Sequence, residues 1–175
     1  MQERWPVTTL TSEPAAVTDR PDHQNGAWRL AVAVAVVLAV VLVDQLTKWW
    51  AVDRLPTGPI HVIGTVDLEL SLNTGSAFSL LTGQTALVMV VAFALVGVLL
   101  VMVWRAPTLG RAAILGLILG GALGNLSDRL FRADHGAVVD FIAPHFWPTF
   151  NVADSCIVVG CLLLLVSLMR GSRAR

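Results

Sequence analysis

Four apolar runs constrain this chain more than anything else in it. They are Leu30–Val43, carried on through Asp44 to Val52; Thr85–Trp104; Ala112–Leu126; and Val152–Met169. Hydrocarbon offers the backbone no hydrogen-bond partners, so a spanning segment must satisfy its own N–H and C=O groups. Runs of this length do so as helices, and residues 30–52 would extend about 34 Å, enough to span. The composition agrees. Hydrophobic residues make up 55% of the 175 and charged residues 14%, against roughly 25% charged in soluble domains. The chain reads as an all-α membrane bundle of four transmembrane helices.

Between the first two runs, His61-Val62-Ile63 and Val66–Leu72 read as short strands, the second alternating with period two. Two short strands outside the membrane therefore accompany the helices. Residues 1–27 hold Pro6, Pro14 and Pro21 and no apolar period, which predicts a disordered cytoplasmic tail. They do not read as a cleaved signal peptide, because the first apolar run begins only near Leu30 and no small-x-small site follows it. A single membrane domain is expected over 28–170, with spans at about 30–52, 85–104, 112–126 and 152–169, and a cytoplasmic tail over 171–175. Eight basic residues (Arg4, Arg20, Arg29, Arg105, Arg111, Arg170, Arg173 and Arg175) fall on the side holding both termini, against Lys48, Arg54, Arg129 and Arg132 on the other. The positive-inside rule makes the first side cytoplasmic. The formal net charge is zero, and nothing points to nucleic acid. Glycines at 116, 120, 121 and 124 predict close helix packing in the third span. Cys156 and Cys161 read as packing residues rather than a bridge or a metal pair.

This topology gathers Asp44, Asn73, Asp128, Asp140 and Asp154, from separate segments, near the outer face. A carboxylate at the edge of a hydrocarbon-length segment is expensive and points to function. Two carboxylates within hydrogen-bond reach share one proton, and such a pair can activate water and protonate a scissile carbonyl or its leaving amine. It needs no metal, serine nucleophile or cofactor. Spacing alone leaves alternatives open. Asp140 and Asp154 can be separate, solvated, capping carboxylates. Asp44 and Lys48 can be an intrahelical ion pair or the lining of a polar cleft. Asn73-Thr74-Gly75 can be an ordinary hairpin end, and His61 reads as a surface histidine. A proton channel would need ionisable groups at both depths, whereas here they cluster at one. A non-enzymatic scaffold leaves Asp140 and Asp154 unexplained, and no Gly-x-Gly-Asp motif is present.

Five stretches together carry a resemblance: Asp44-Gln-Leu-Thr-Lys48; Asn73-Thr-Gly75-Ser-Ala77-Phe78; Gly120-Gly121-Ala-Leu-Gly124-Asn125-Leu-Ser-Asp128-Arg129; Val139-Asp140-Phe141; and Phe150-Asn151-Val-Ala153-Asp154-Ser155. In order and content they resemble bacterial lipoprotein signal peptidase, the signal peptidase II family, from about Asp44 to Gly160. The resemblance implies a membrane aspartyl endopeptidase of the bacterial inner membrane, sensitive to globomycin. Such an enzyme cuts diacylglyceryl-modified prolipoproteins before the lipidated cysteine. It implies Asp140 and Asp154 as the catalytic pair. It puts Asp44, Lys48, Asn73, Gly75, Asn125, Asp128, Arg129, Asn151 and Ala153 at or beside the site, and a small extracytoplasmic β-sheet that cradles the substrate within residues 60–78. The expected partners are the lipidated prolipoprotein and membrane lipid, with a monomeric enzyme and no cofactor or metal. On this reading Arg129 holds a substrate carbonyl with Asp128 orienting it, and Asn125 and Asn151 fix the aspartates. Lys48 either stabilises Asp44 or meets the substrate.

Overall fold

Each apolar run forms a helix long and apolar enough to cross a membrane. A computed structural model describes residues 23–74, 85–132 and 136–173. In chain order the elements are α1 (His23–Arg54), β1 (Ile60–Ile63), β2 (Val66–Asn73), α2 (Thr85–Trp104), α3 (Leu109–Phe131), β3 (Val138–Pro144) and α4 (Val152–Arg173).

Helix α3 is the centre of the bundle and packs against α1, α2 and α4. Half of its most apolar stretch is buried, against 11–17% for the other three helices, which turn most of their surface outward. Glycine makes this possible. A β-carbon at Gly116 would lie 2.8 Å from the Ala33 carbonyl oxygen, one at Gly120 2.8 Å from Val40 Cβ, and one at Gly124 2.6 Å from Asp44 Oδ2. These three positions, four apart, form the face that α1 packs on. Gly121 faces α4 instead, where a β-carbon would lie 2.5 Å from the Ala153 carbonyl oxygen. In a membrane, helix contact depends on this close approach, because lipid removes the hydrophobic drive. The packing expectation for the glycine stripe therefore holds. Helix α3 begins at Thr108, whose side chain accepts a hydrogen bond from the Arg111 N–H at 3.2 Å.

The sheet has three antiparallel strands in the order β1-β2-β3. The two expected strands are present, and β3 was not expected. It runs Val-Val-Asp-Phe-Ile-Ala-Pro with nearly every residue buried, so no polar alternation marks it. One extra residue in β2 between Leu68 and Ser71 shifts the β2–β3 register, which then pairs Ser71 with Asp140 and Asn73 with Val138. Asp67 clips the outer part of the sheet. Its two carboxylate oxygens meet His61 Nδ1 at 2.7 Å and His145 Nε2 at 2.8 Å. The hydrogen bonds from His145 and then His61 hold the Asp67 carboxyl below its usual range. His61 is thus an exposed surface histidine in this clip.

Three expectations change. Helix α1 begins at His23 rather than near Leu30, so residues 23–27 are not part of a disordered tail; residues 1–22 lie outside the described residues. Helix α3 runs to Phe131 instead of stopping at Leu126, which puts Asp128 and Arg129 on a helix rather than in a loop. Its polar last turn is helical because Asp128 and Arg132, four apart, pair at 2.9 Å and the rest of Asp128 is satisfied by α1 and β3. The cradling sheet draws its third strand from residues 138–144, and the end of the 60–78 segment, from Gly75 on, lies outside the described residues.

Gly121→Ala should destabilise the protein by about 1–3 kcal/mol, the usual cost of overpacking. Gly97→Ala, with nothing within 4 Å of an added β-carbon, should not. Thermal unfolding in detergent checks this; equal melting temperatures would refute the close α3–α4 contact.

Candidate active site

The expected cluster resolves into two layers stacked along the α1–α3–α4 contact. The inner layer is ionic. Lys48 on α1 is fully buried, and its ammonium donates to Asp44 Oδ2 at 2.8 Å, Asp128 Oδ2 at 3.0 Å and Asn125 Oδ1 at 2.9 Å. An ammonium has three N–H donors, and these three acceptors occupy them. Asp44 is likewise fully buried, and its Oδ1 accepts the Ala153 N–H at 2.9 Å. The start of α4 is thereby fastened to α1. Asp128 Oδ2 also accepts the Val139 N–H at 3.1 Å, and Oδ1 accepts from Arg132 Nε at 2.9 Å and Gln45 Nε2 at 3.1 Å. Gln45 Nε2 is also within reach of Asp44 Oδ2 and the Gly124 carbonyl. Two carboxylates face one ammonium and one half-buried guanidinium, so the layer is neutral. Among the described residues no buried side-chain nitrogen or oxygen lacks a partner.

The outer layer holds Asp140 and Asp154. Helix α4 opens with a reciprocal cap in which the Asp154 N–H donates to Asn151 Oδ1 at 2.9 Å and the Asn151 N–H donates to Asp154 Oδ2 at 3.3 Å. The cap is therefore Asn151 rather than Asp154, which answers it from the first turn of the helix and keeps its other oxygen for Asn125. Asp140 comes to the same place by strand pairing. After β3 the chain turns back and Phe150 pairs with Ile142, its N–H donating to the Ile142 carbonyl at 3.0 Å. That return leaves Asn151 beside Asp140, and Asn151 Nδ2 donates to Asp140 Oδ1 at 2.7 Å.

Asparagines join the layers. Asn125 Nδ2 donates to Asp154 Oδ1 at 2.7 Å, while its Oδ1 accepts from both Lys48 and Asn151 Nδ2, the latter at 3.0 Å. Asn73 Nδ2, at the end of β2, donates to Asp140 Oδ2 at 3.0 Å. The Asp140 carboxyl is raised to about 6: burial drives the rise and the charge of Asp154 adds to it, while hydrogen bonds from Asn73 and Asn151 and the Lys48 ammonium oppose it. Arg129, on the last turn of α3, sits in the field of Asp154 and then Asp140, and its Nη1 donates to the Asn125 carbonyl at 3.4 Å.

Of the sequence-predicted residues, Asp140, Asp154, Asn73, Asn125, Asn151 and Arg129 meet in the outer layer. Asp44, Lys48, Asp128 and the Ala153 N–H meet in the inner one. Gly75 lies outside the described residues. One detail is corrected: Asp128 gives its oxygens to Lys48, Arg132, Gln45 and Val139 rather than orienting Arg129. Of the two roles left open for Lys48, its burial and three protein acceptors favour stabilising Asp44. Sequence reasoning missed Gln45 and Arg132. A polar residue beside Asp44 inside an apolar run was the available signal for Gln45, and the four-residue spacing to Asp128 was the one for Arg132.

Comparison with known proteins gives a family and a fold. Residues 36–170 match the family described as Signal peptidase (SPase) II. The chain is 49% identical over 150 residues to the lipoprotein signal peptidase of Rhodococcus jostii, covering 81% of this chain and 73% of that one. It is 42% identical over 166 residues to that of Mycobacterium tuberculosis, covering 90% and 81%. A solved bacterial membrane enzyme superposes with a TM-score of 0.71 at 26% identity, covering 79% of this chain and 93% of its own. A second, at 24% identity and a TM-score of 0.72, shares the fold.

Lys48→Met would leave Asp44 buried without a cation and Asp128 with Arg132 alone, and should cost about 3–5 kcal/mol. Adding Asp44→Asn should recover part of it. Unfolding in detergent measures both; a Lys48→Met protein as stable as wild type would remove the ionic layer from the account.

Proposed function

This chain belongs to the signal peptidase II family of multi-pass membrane peptidases, which cleave the signal peptides of lipoproteins, and from that premise we propose that Asp140 and Asp154 are its catalytic pair. The observation that carries the proposal is the asparagine bridge. Asn151 donates to Asp140 through its side chain and to Asp154 through its backbone, and Asn125 ties Asp154 to Asn151. Two carboxylates held this way at one site cannot both ionise freely. The pair carries one proton, weighted towards the more buried Asp140.

In the reaction, the ionised carboxylate takes a proton from a water as that water attacks the scissile carbonyl carbon. The protonated carboxyl gives its proton to the carbonyl oxygen. The tetrahedral diol then collapses: the pair protonates the amine nitrogen, the C–N bond breaks, and one diol hydroxyl returns its proton to the free carboxylate as the C=O re-forms, so the pair again holds one proton. The Arg129 fork, in the field of both aspartates, meets the substrate's backbone carbonyls on this reading. The substrate is a prolipoprotein whose cysteine carries a diacylglyceryl group, and the cut falls just before that cysteine. Its acyl chains stay in the outer leaflet, which brings the bond to the depth of the pair. The surplus of arginines at the far end of the bundle favours both termini on the cytoplasmic side and the pair near the extracytoplasmic face. The protein acts as a monomer, since the proposed site draws on one chain alone.

Asp140→Asn and Asp154→Asn should each cut a diacylglyceryl-modified prolipoprotein in detergent at least about 10²–10⁴-fold more slowly than wild type while remaining folded. Cutting at the wild-type rate by either would sink the assignment. The pH dependence has a definite sign. The folded Asp140 carboxyl lies at about 6, above its ordinary value near 3.8. The folded state therefore holds the extra proton between these values, and both stability and the shared proton decline as pH rises through that window. On the basic side kcat/KM should fall as pH rises past about 6. Asn73→Ala removes a hydrogen bond that favours the ionised carboxyl, so it should move that limb to higher pH; a limb that stays put would show that Asn73 does not act on the pair.

A further inference from the structure

The end of the bundle farthest from Asp140 and Asp154 holds a cavity of about 470 Å³ between the start of α1, the end of α2 and the 105–108 turn. Gly26, Arg29, Leu30, Trp104, Arg105 and Pro107 line it. Arg29 is held in place there, its Nη1 donating to the Pro107 carbonyl at 2.8 Å and the Ala106 carbonyl at 3.4 Å. Arg105 sits across from it on the turn. Trp104, 78% exposed, and Trp28, 68% exposed, mark the depth at which a bilayer's polar layer would begin. Among the described residues the charge at this end is basic. Arg29, Arg105, Arg111 and Arg170 lie there, whereas the carboxylates among the described residues (Asp44, Asp53, Asp67, Glu69, Asp128, Asp140 and Asp154) all lie towards the other end. None of these features takes part in the chemistry above.

We propose that this cavity seats the headgroup of an anionic phospholipid of the leaflet opposite the active site, with its phosphodiester between Arg29 and Arg105. Guanidinium forks match a phosphate oxygen pair, and basic pockets between membrane helices take anionic headgroups. The volume falls in the range of small-molecule sites. The wall is apolar at Leu30 and Val103, and further along the same two helices Val34, Leu38, Leu100 and Val101 are exposed. A soluble anion has no use for that apolar approach; the acyl chains of a lipid do.

The test is native mass spectrometry of the full chain released from detergent, titrated separately with phosphatidylglycerol and phosphatidylcholine. Wild type should retain phosphatidylglycerol in preference, and Arg105→Gln should lower that retention by about fivefold, the scale of one basic side chain at an anionic surface. Arg170→Gln, at the same end but outside the cavity, should change it little. Arg29→Gln also removes the bonds to the 106–107 turn, so Arg105→Gln is the deciding variant. Equal retention of the two lipids, or equal losses in Arg105→Gln and Arg170→Gln, would overturn the site. Displacement of phosphatidylglycerol by millimolar inorganic phosphate would show a site for free anions and overturn the lipid assignment.

Discussion

The structure depends on one buried ammonium. Lys48 sits between Asp44, Asp128 and Asn125, and through those three the ends of α4 and β3 are held at the site. Asp44 fastens the first turn of α4 through the Ala153 N–H, Asp128 fastens β3 through the Val139 N–H, and Asn125 reaches the Asp154 carboxylate directly. Removing one partner from such a buried set leaves an uncompensated charge, which is why the set holds together as a unit. The glycine at position 124 belongs to the same arrangement. A side chain there would strike Asp44 Oδ2, so the ion pair and the close helix packing require each other.

The ionic layer balances most of its own charge before it meets the outer layer. Its carboxylates are matched by Lys48 and Arg132, and what it passes outward is a set of oriented amides. Asn125 and Asn151 donate to the two aspartates and share one hydrogen bond between them. Asparagine suits this place because it is neutral and offers both donors and an acceptor. A cation there would hold both carboxylates ionised, and a further carboxylate would repel them. The amides fix geometry and temper the rise of the Asp140 carboxyl, which burial drives and the neighbouring charge of Asp154 adds to.

The sequence made the helices, two of the strands and most of the site residues legible, because hydrocarbon-length apolar runs, period-two alternation and polar residues at span edges each have a direct physical signature. Residues 127–131 were not read as helix because their polar side chains look like a loop; their partners lie on α1 and β3, far away in sequence. Strand β3 escaped because it is buried on both faces and shows no alternation. The role of Lys48 was undecidable from an i,i+4 spacing, which gives Asp44 as a neighbour but cannot show that Asp128 and Asn125 fill the two remaining donors. The partners of Asp128 were misread for the same reason. Arg129 is adjacent in the chain, yet on a helix adjacent residues point apart and Arg132 is the one on the same face.

The central claim is that Asp140 and Asp154 feel each other's charge and hold one proton between them. Infrared spectroscopy of the protein with isotope-labelled aspartate carboxyls, titrated in detergent without substrate, measures this directly. Wild type should show a protonated carboxyl that ionises near pH 6. Asp154→Asn should shift that ionisation to lower pH by removing the like charge, and Asp140→Asn should abolish it. A midpoint that is unchanged in Asp154→Asn would mean that the two carboxyls titrate independently, and the paired mechanism would fall.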